Sequence, residues 1–66
     1  MEITINGAPR QVPDGADLAA VLREHGVAER GVAVAVDGDV VPRADWSGTA
    51  VRPGAAVEVL TAVQGG

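Results

Sequence analysis

Hydrophobic and polar side chains alternate over residues 2–6, where Ile3 and Ile5 share one face and polar residues share the other. This two-residue period predicts a half-buried β-strand. The dipeptide Asn6-Gly7 is a strong signal for a tight hairpin turn, so residues 8–12 are expected to return as a second strand. The chain is therefore predicted to open with a β-hairpin.

A helical period follows the hairpin. Leu18, Val21 and Leu22 are spaced to form one narrow apolar stripe on a helix. Asp17 is a favourable N-cap and Gly26 a favourable terminator, so the helix is predicted over residues 18–25. His25 would then lie at the C-terminal end of the helix, where dipole stabilisation or partial burial explains it better than catalysis.

The second half of the chain returns to short extended runs. Strands are predicted over residues 32–36, 40–41 and 57–63, separated by the turn dipeptides Asp37-Gly38 and Pro53-Gly54. Residues 43–48 are predicted to form an irregular or single-turn segment, in which Trp46 is a packing anchor. The predicted order is β-β-α-β-β-β. It defines an α+β fold in which one helix packs across one face of a mixed sheet of four or five strands.

In so short a chain no element remains to cover the second face of the sheet. Val57, Val59 and Thr61 share one face of the last strand, and Glu58, Leu60 and Ala62 share the other. If the valines face the helix, Leu60 lies on the uncovered face. It is there either as an ordinary exposed leucine or as part of a docking patch.

Composition narrows the possible functions. The 66 residues make a single domain, 1–66, with a net charge of −4 and one aromatic residue, which argues against nucleic-acid binding. Cysteine is absent and there is one histidine, so no metal site, iron–sulfur cluster or thiol nucleophile is expected. The apolar run 32–36 is too short to span a bilayer, and the first residues lack the features of a signal peptide. We expect a cytoplasmic protein that is monomeric when free, binds no membrane and holds no cofactor of its own.

The chain ends in Gln64-Gly65-Gly66. Paired glycines contribute no side-chain packing and cost backbone entropy, so they add little to a fold. Their value is steric, because two residues without Cβ can thread a narrow channel and present the Gly66 carboxylate to a partner enzyme. Residues 62–66 are accordingly predicted to form a flexible tail.

Two segments of the chain resemble a known family, the ThiS-type sulfur carriers of thiamine biosynthesis, which have the ubiquitin-like β-grasp fold. The first is the hairpin over residues 34–43, which closes in Val41-Pro42-Arg43 and is followed by Trp46. The second is residues 57–66 with the closing diglycine. The sequence departs from the family pattern at Asp37, where asparagine is usual, and at Ala55, where aspartate is common.

The resemblance implies a carrier without catalytic groups of its own. A partner ATP-dependent adenylating enzyme (ThiF-like), using ATP and magnesium, would convert the Gly66 carboxylate into an acyl-adenylate. A persulfide donor would then supply the sulfur of a C-terminal thiocarboxylate, and a thiazole synthase (ThiG-like) would accept it. Gly66 would be the covalent attachment point. The partner-binding residues would be Gly65, Gln64, Val63, Ala62 and Leu60.

Three other functions remain open from the sequence. The small subunit of molybdopterin synthase, or a carrier for another sulfur product, would use the same tail chemistry with a different receiving enzyme. A ubiquitin-like modifier would join its tail to lysine side chains. In a plain interaction domain, the glycines would be only a frayed end.

Overall fold

The computed structural model describes residues 1–28 and 30–61. Five strands, one α-helix and one 3₁₀ helix follow one another along this part of the chain. They are β1 (Glu2–Ile5), β2 (Ala8–Gln11), α1 (Leu18–Glu24), β3 (Val32–Val36), β4 (Asp39–Val40), the 3₁₀ helix (Arg43–Gly48) and β5 (Ala56–Thr61). The predicted element order is confirmed, and the 43–48 segment is a 3₁₀ helix.

The strands form one mixed sheet in the order β2-β1-β5-β3-β4. β5 occupies the centre, where it is parallel to β1 and antiparallel to β3. The last strand of the chain is therefore held on both sides by earlier strands. Of its predicted range 57–63, the residues up to Thr61 are in the strand, and 62 and 63 lie outside the described residues.

Both hairpin turns have the backbone that their sequences predict. Asn6 and Gly7 have φ values of 51° and 82°, and Asp37 and Gly38 have values of 51° and 89°. Two successive positive φ values are what a two-residue turn needs to match the twist of the flanking strands. β4 pairs at Asp39 and Val40, one residue earlier than predicted, because the Asp37-Gly38 turn brings Asp39 directly opposite Val36.

Side-chain and backbone caps fix both ends of α1. The Asp17 carboxylate accepts a hydrogen bond from the Ala20 N–H at 2.8 Å, which satisfies one of the free donors of the first turn. At the other end, the Gly26 N–H donates to the Arg23 carbonyl and the Val27 N–H to the Leu22 carbonyl. This is a Schellman motif, and Gly26 supplies the left-handed residue with φ of 73°.

The predicted helix end is one residue too long, because His25 is the C-cap rather than the last helical residue. Its ring Nδ1 lies 2.9 Å from the Val21 carbonyl oxygen, and the side chain is half-buried. The histidine therefore caps and packs at the helix end, as the sequence predicts.

The core lies between α1 and one face of the sheet. Of the described residues, ten apolar ones are buried there, drawn from the strands, the helix and the loops: Ile3, Val12, Leu18, Val21, Leu22, Val34, Trp46, Val51, Ala55 and Val57. Trp46 anchors the 3₁₀ helix to this core, and its indole Nε1–H donates to the Val41 carbonyl at 3.0 Å. A buried indole N–H normally needs such a partner. The predicted role of Trp46 in packing is confirmed.

Candidate functional site

The candidate site begins where β5 leaves the sheet. Thr61, its last residue, lies opposite Val32 at the start of β3. The predicted attachment point Gly66 and the predicted contact residues Gly65, Gln64, Val63 and Ala62 follow directly but lie outside the described residues. Leu60 is therefore the one predicted site residue whose surroundings the structure describes.

Leu60 lies on the sheet face that α1 does not cover. Val57 is fully buried on the helix side, so alternation along β5 turns Leu60 outward, where it is 73% exposed. A leucine this exposed gains almost nothing from burial in the folded chain. The predicted orientation of the strand is therefore correct.

The strand register surrounds Leu60 with small and apolar residues. Ala33 lies directly opposite Leu60 across β3 and β5. Ala35 lies opposite Val40 across β3 and β4. Because alanine side chains are short, the two alanines form the floor of a shallow depression of about 410 Å³, and Leu60 and Val40 stand at its margins. We refer to Leu60, Val40, Ala33 and Ala35 as the outer patch.

Val40 belongs to the outer patch, but its exposure was not predicted from the sequence. It is 73% exposed, like Leu60, and these two are the large apolar residues that the described part of the chain exposes. The sequence offered one usable signal, since Val41 packs against the core and its neighbour in an extended segment must point the other way. Identifying the core-facing residue of that pair required the register of β3 and β4.

The outer patch carries binding chemistry rather than catalytic chemistry. Among the described residues, Glu58 is the one charged residue that lines it, and Asn6 is the one neutral polar side chain. Within residues 1–28 and 30–61, no three side chains of His, Cys, Asp or Glu come together as metal ligands would. What this face offers is an apolar surface beside the start of the tail segment.

No helix within the described residues is long and apolar enough to cross a membrane. The longest α-helix there is α1, which has seven residues and buries its stripe against the sheet. That stripe is part of the core of the domain.

One helix packed across a five-stranded mixed sheet with β5 at its centre defines a ubiquitin-like β-grasp protein. The ThiS family model matches residues 3–66. The chain belongs to the ThiS family.

Two solved structures support the same assignment. A crystal structure of the thiamine biosynthesis protein ThiS from Geobacter metallireducens is 33% identical, with each chain fully covered and a TM-score of 0.86. A solution structure of a thiamine biosynthesis protein from the same organism is also 33% identical, with a TM-score of 0.79. It covers all of this chain and 88% of that one. Among curated proteins, none matches the chain.

Proposed function

We propose that this chain is a sulfur carrier of thiamine biosynthesis whose C-terminal carboxylate at Gly66 is the loading point. The observation that carries the proposal is the family match, which extends over residues 3–66 and so includes the diglycine. The two thiamine biosynthesis structures are similar to this chain over its whole fold, and they support thiamine biosynthesis as the pathway in which it acts. In this function the chain is a co-substrate, not an enzyme, and it works in the cytoplasm.

The chemistry requires activation because a carboxylate is a poor electrophile. Attack of the Gly66 carboxylate on ATP, with magnesium held by the adenylating enzyme, gives an acyl-adenylate and releases pyrophosphate. Attack by a sulfur nucleophile then breaks the acyl–phosphate bond and releases AMP. When the nucleophile is a protein persulfide, a thiol must next cleave the S–S bond to leave the thiocarboxylate. A thiazole synthase takes the sulfur from that group.

The outer patch gives this proposal a docking surface. A tail of small residues loses conformational freedom when it enters a channel, so the folded body has to contribute binding free energy. Leu60 is the residue of the patch nearest the tail in the chain, and Val40 extends the apolar surface across β3. We assign this face to the enzyme that holds the tail. Gln64 and Val63 contribute main-chain contacts within its channel.

Intact-mass spectrometry tests the proposal directly. The full-length chain is incubated with ATP, magnesium, the adenylating enzyme of its own organism and a sulfide source. The expected product is heavier by the difference between one sulfur and one oxygen atom, and omission of ATP abolishes the change. An unchanged mass with active adenylating enzyme would overturn the proposal.

The enzyme that accepts the sulfur distinguishes a carrier for thiamine biosynthesis from the related functions. Sulfur transfer to the organism's thiazole synthase supports thiamine biosynthesis. Transfer only to the large subunit of a molybdopterin synthase would identify the related carrier instead. Recovery of the chain joined to lysine side chains of other proteins would identify a modifier.

A further inference from the structure

A second surface lies on the helix side of the sheet, between α1 and the 3₁₀ helix. It is an open groove of about 520 Å³. Main-chain hydrogen bonds hold its two walls together, because the Leu18 N–H donates to the Thr49 carbonyl at 2.8 Å and the Val51 N–H to the Ala16 carbonyl at 3.2 Å. We call it the helix groove, and its lining residues are Ala19, Leu22, Arg23, Gly26, Val27, Arg43, Trp46 and Ser47.

The floor of the helix groove is apolar and fixed in place. Leu22 and Trp46 belong to the core, and the Schellman motif at the end of α1 packs Val27 against it. The indole N–H of Trp46 is already bonded to the Val41 carbonyl, so the floor offers carbon surface and no free donor from this ring. Trp46 is only 5% exposed, which leaves too little ring for a nucleotide base to stack on.

The charged residues that line the helix groove are both arginines. Arg23 on α1 and Arg43 on the 3₁₀ helix are exposed, and no carboxylate of residues 1–28 or 30–61 lines the groove with them. The described residues form one ion pair, between the Met1 amino group and the Asp14 carboxylate. Neither guanidinium is therefore paired with a described carboxylate. The whole chain has nine acidic residues against five arginines and no lysine. Two of the few cationic side chains of this acidic protein therefore line the same groove.

The helix groove is close to the start of the tail. Val32, which lies opposite Thr61 in the sheet, is five positions after Val27 in the chain. Five extended residues reach at most about 18 Å, so Val27 lies within that distance of Val32, the cross-strand neighbour of Thr61 at the start of the tail. A protein large enough to hold the tail can reach the groove as well.

We propose that the helix groove binds an acidic segment of the adenylating enzyme, the partner that every sulfur-carrier function considered for this chain requires. This inference rests on the proposed function. Carboxylates of the segment pair with Arg23 and Arg43, and an apolar side chain of the segment covers Ala19 and Val27, which are half-buried in the free chain. Guanidinium groups favour carboxylates through paired parallel hydrogen bonds, and complementary charge at an interface sets specificity and association rate. The net charge of −4 disfavours nucleic acid as the occupant.

Charge reversal with a matched control tests the inference. The groove variant carries Arg23→Glu and Arg43→Glu, and the control carries Arg10→Glu and Arg52→Glu, two exposed arginines outside the groove. Both variants change the net charge equally. Calorimetry measures binding of the full-length chain to the organism's adenylating enzyme and, separately, to its thiazole synthase. Trp46 fluorescence and thermal unfolding check that each variant is folded, and a pair of Arg→Gln changes replaces the reversal if it is not.

The groove variant is expected to bind the adenylating enzyme about tenfold or more weakly, while its binding to the thiazole synthase and the binding of the control variant change less than about threefold. The affinity of the wild-type chain for that enzyme should also fall more steeply with salt than that of the groove variant. Equal weakening in both variants, or none in either, would overturn the inference. A change confined to self-association of the chain would do the same, because the occupant would then be a second copy.

Sulfur loading of the wild-type chain, measured by intact-mass spectrometry, distinguishes failure of this inference from failure of the proposed function. A wild-type chain that acquires sulfur, with a groove variant that binds like the control, removes the inference alone. A wild-type chain that binds through the groove but acquires no sulfur supports the groove and removes the sulfur-carrier proposal. A wild-type chain that neither binds nor acquires sulfur removes both.

Discussion

The side-chain amide of Asn6 forms two hydrogen bonds with the main chain of Val59. Its Oδ1 accepts from the Val59 N–H at 2.8 Å, and its Nδ2 donates to the Val59 carbonyl at 3.2 Å. Asn6 thus extends the pairing of β1 with β5 beyond Ile5 and Val57, close to the end of the last strand. The same residue adopts the positive φ that its turn requires.

A second turn residue holds the other end of β5. Asp37 accepts a hydrogen bond at Oδ1 from the Ala56 N–H at 2.9 Å, and its own N–H donates to the Ala56 carbonyl at 2.8 Å. Here the side chain is only an acceptor, which explains why aspartate serves at a position where the family usually has asparagine. Asn6 has no such freedom, since its side chain both donates and accepts.

This difference predicts that exchange of asparagine and aspartate is destabilising at Asn6 but tolerated at Asp37. Asn6→Asp replaces the donor by an oxygen facing the Val59 carbonyl, and we expect it to lower the free energy of unfolding by about 1–2 kcal/mol. Asp37→Asn retains the acceptor and should stay within about 0.5 kcal/mol of the wild type. Urea unfolding followed by Trp46 fluorescence measures both. Gln11→Glu, on the exposed edge strand, controls for the added charge of Asn6→Asp, and equal losses in all three variants would contradict the explanation.

The indole hydrogen bond of Trp46 can be tested separately from its packing. Trp46→Phe keeps an aromatic ring but leaves the Val41 carbonyl without its donor, and we expect a loss of about 1–3 kcal/mol. Trp46→Ala also opens a cavity and should cost about 3–5 kcal/mol, a large share of the stability of so small a domain. Circular dichroism follows unfolding, since both variants lack the fluorophore. Equal losses in the two variants would show that the hydrogen bond and not the packed volume dominates.

The outer patch should matter for loading and not for folding. Leu60→Glu places a charge at a position that is already 73% exposed, so the free energy of unfolding should change by less than about 0.5 kcal/mol. Its rate of sulfur loading by the adenylating enzyme should fall at least about tenfold, as expected for loss of a central apolar contact. Gln11→Glu adds the same charge on β2, away from the patch, and should load normally. Normal loading of Leu60→Glu would remove Leu60 from the docking surface.

The channel argument for the diglycine predicts a steric effect at Gly65. Gly65→Ala should leave the stability unchanged but abolish adenylation, because a Cβ would not fit a channel that admits only glycine. Pyrophosphate release, measured with ATP and the adenylating enzyme, is the readout. Gly48→Ala is the matched control, since Gly48 has open space around it and no positive φ. Adenylation of Gly65→Ala at the wild-type rate would contradict the channel argument.

Local features of this fold could be predicted from the sequence, because local chemistry fixes them. Asn6-Gly7 and Asp37-Gly38 determine their own turns, and Asp17 and Gly26 determine the ends of α1. Alternation along β5 predicted the exposure of Leu60 on the condition that Val57 and Val59 face the helix, and the structure meets this condition.

Contacts between residues that are distant in sequence could not be predicted. The exposed face of Val40 depends on how β4 is registered against β3. The presence of Arg23 and Arg43 in the same groove depends on how the 3₁₀ helix packs against α1. Neither relationship leaves a periodic signal in the chain, which is why the helix groove and three of the four residues of the outer patch emerged only from the fold.

The central position of β5 determines how the carrier responds to tension. In the proposed function, a partner that draws the final residues into its active site would pull along the axis of a strand paired at five positions with β3 and at two with β1. Such a load is shared by many hydrogen bonds in shear, whereas an edge strand would unzip bond by bond. A pull on the last strand is therefore resisted by both of its neighbours, which favours a fold that stays intact while a partner holds the end of the chain.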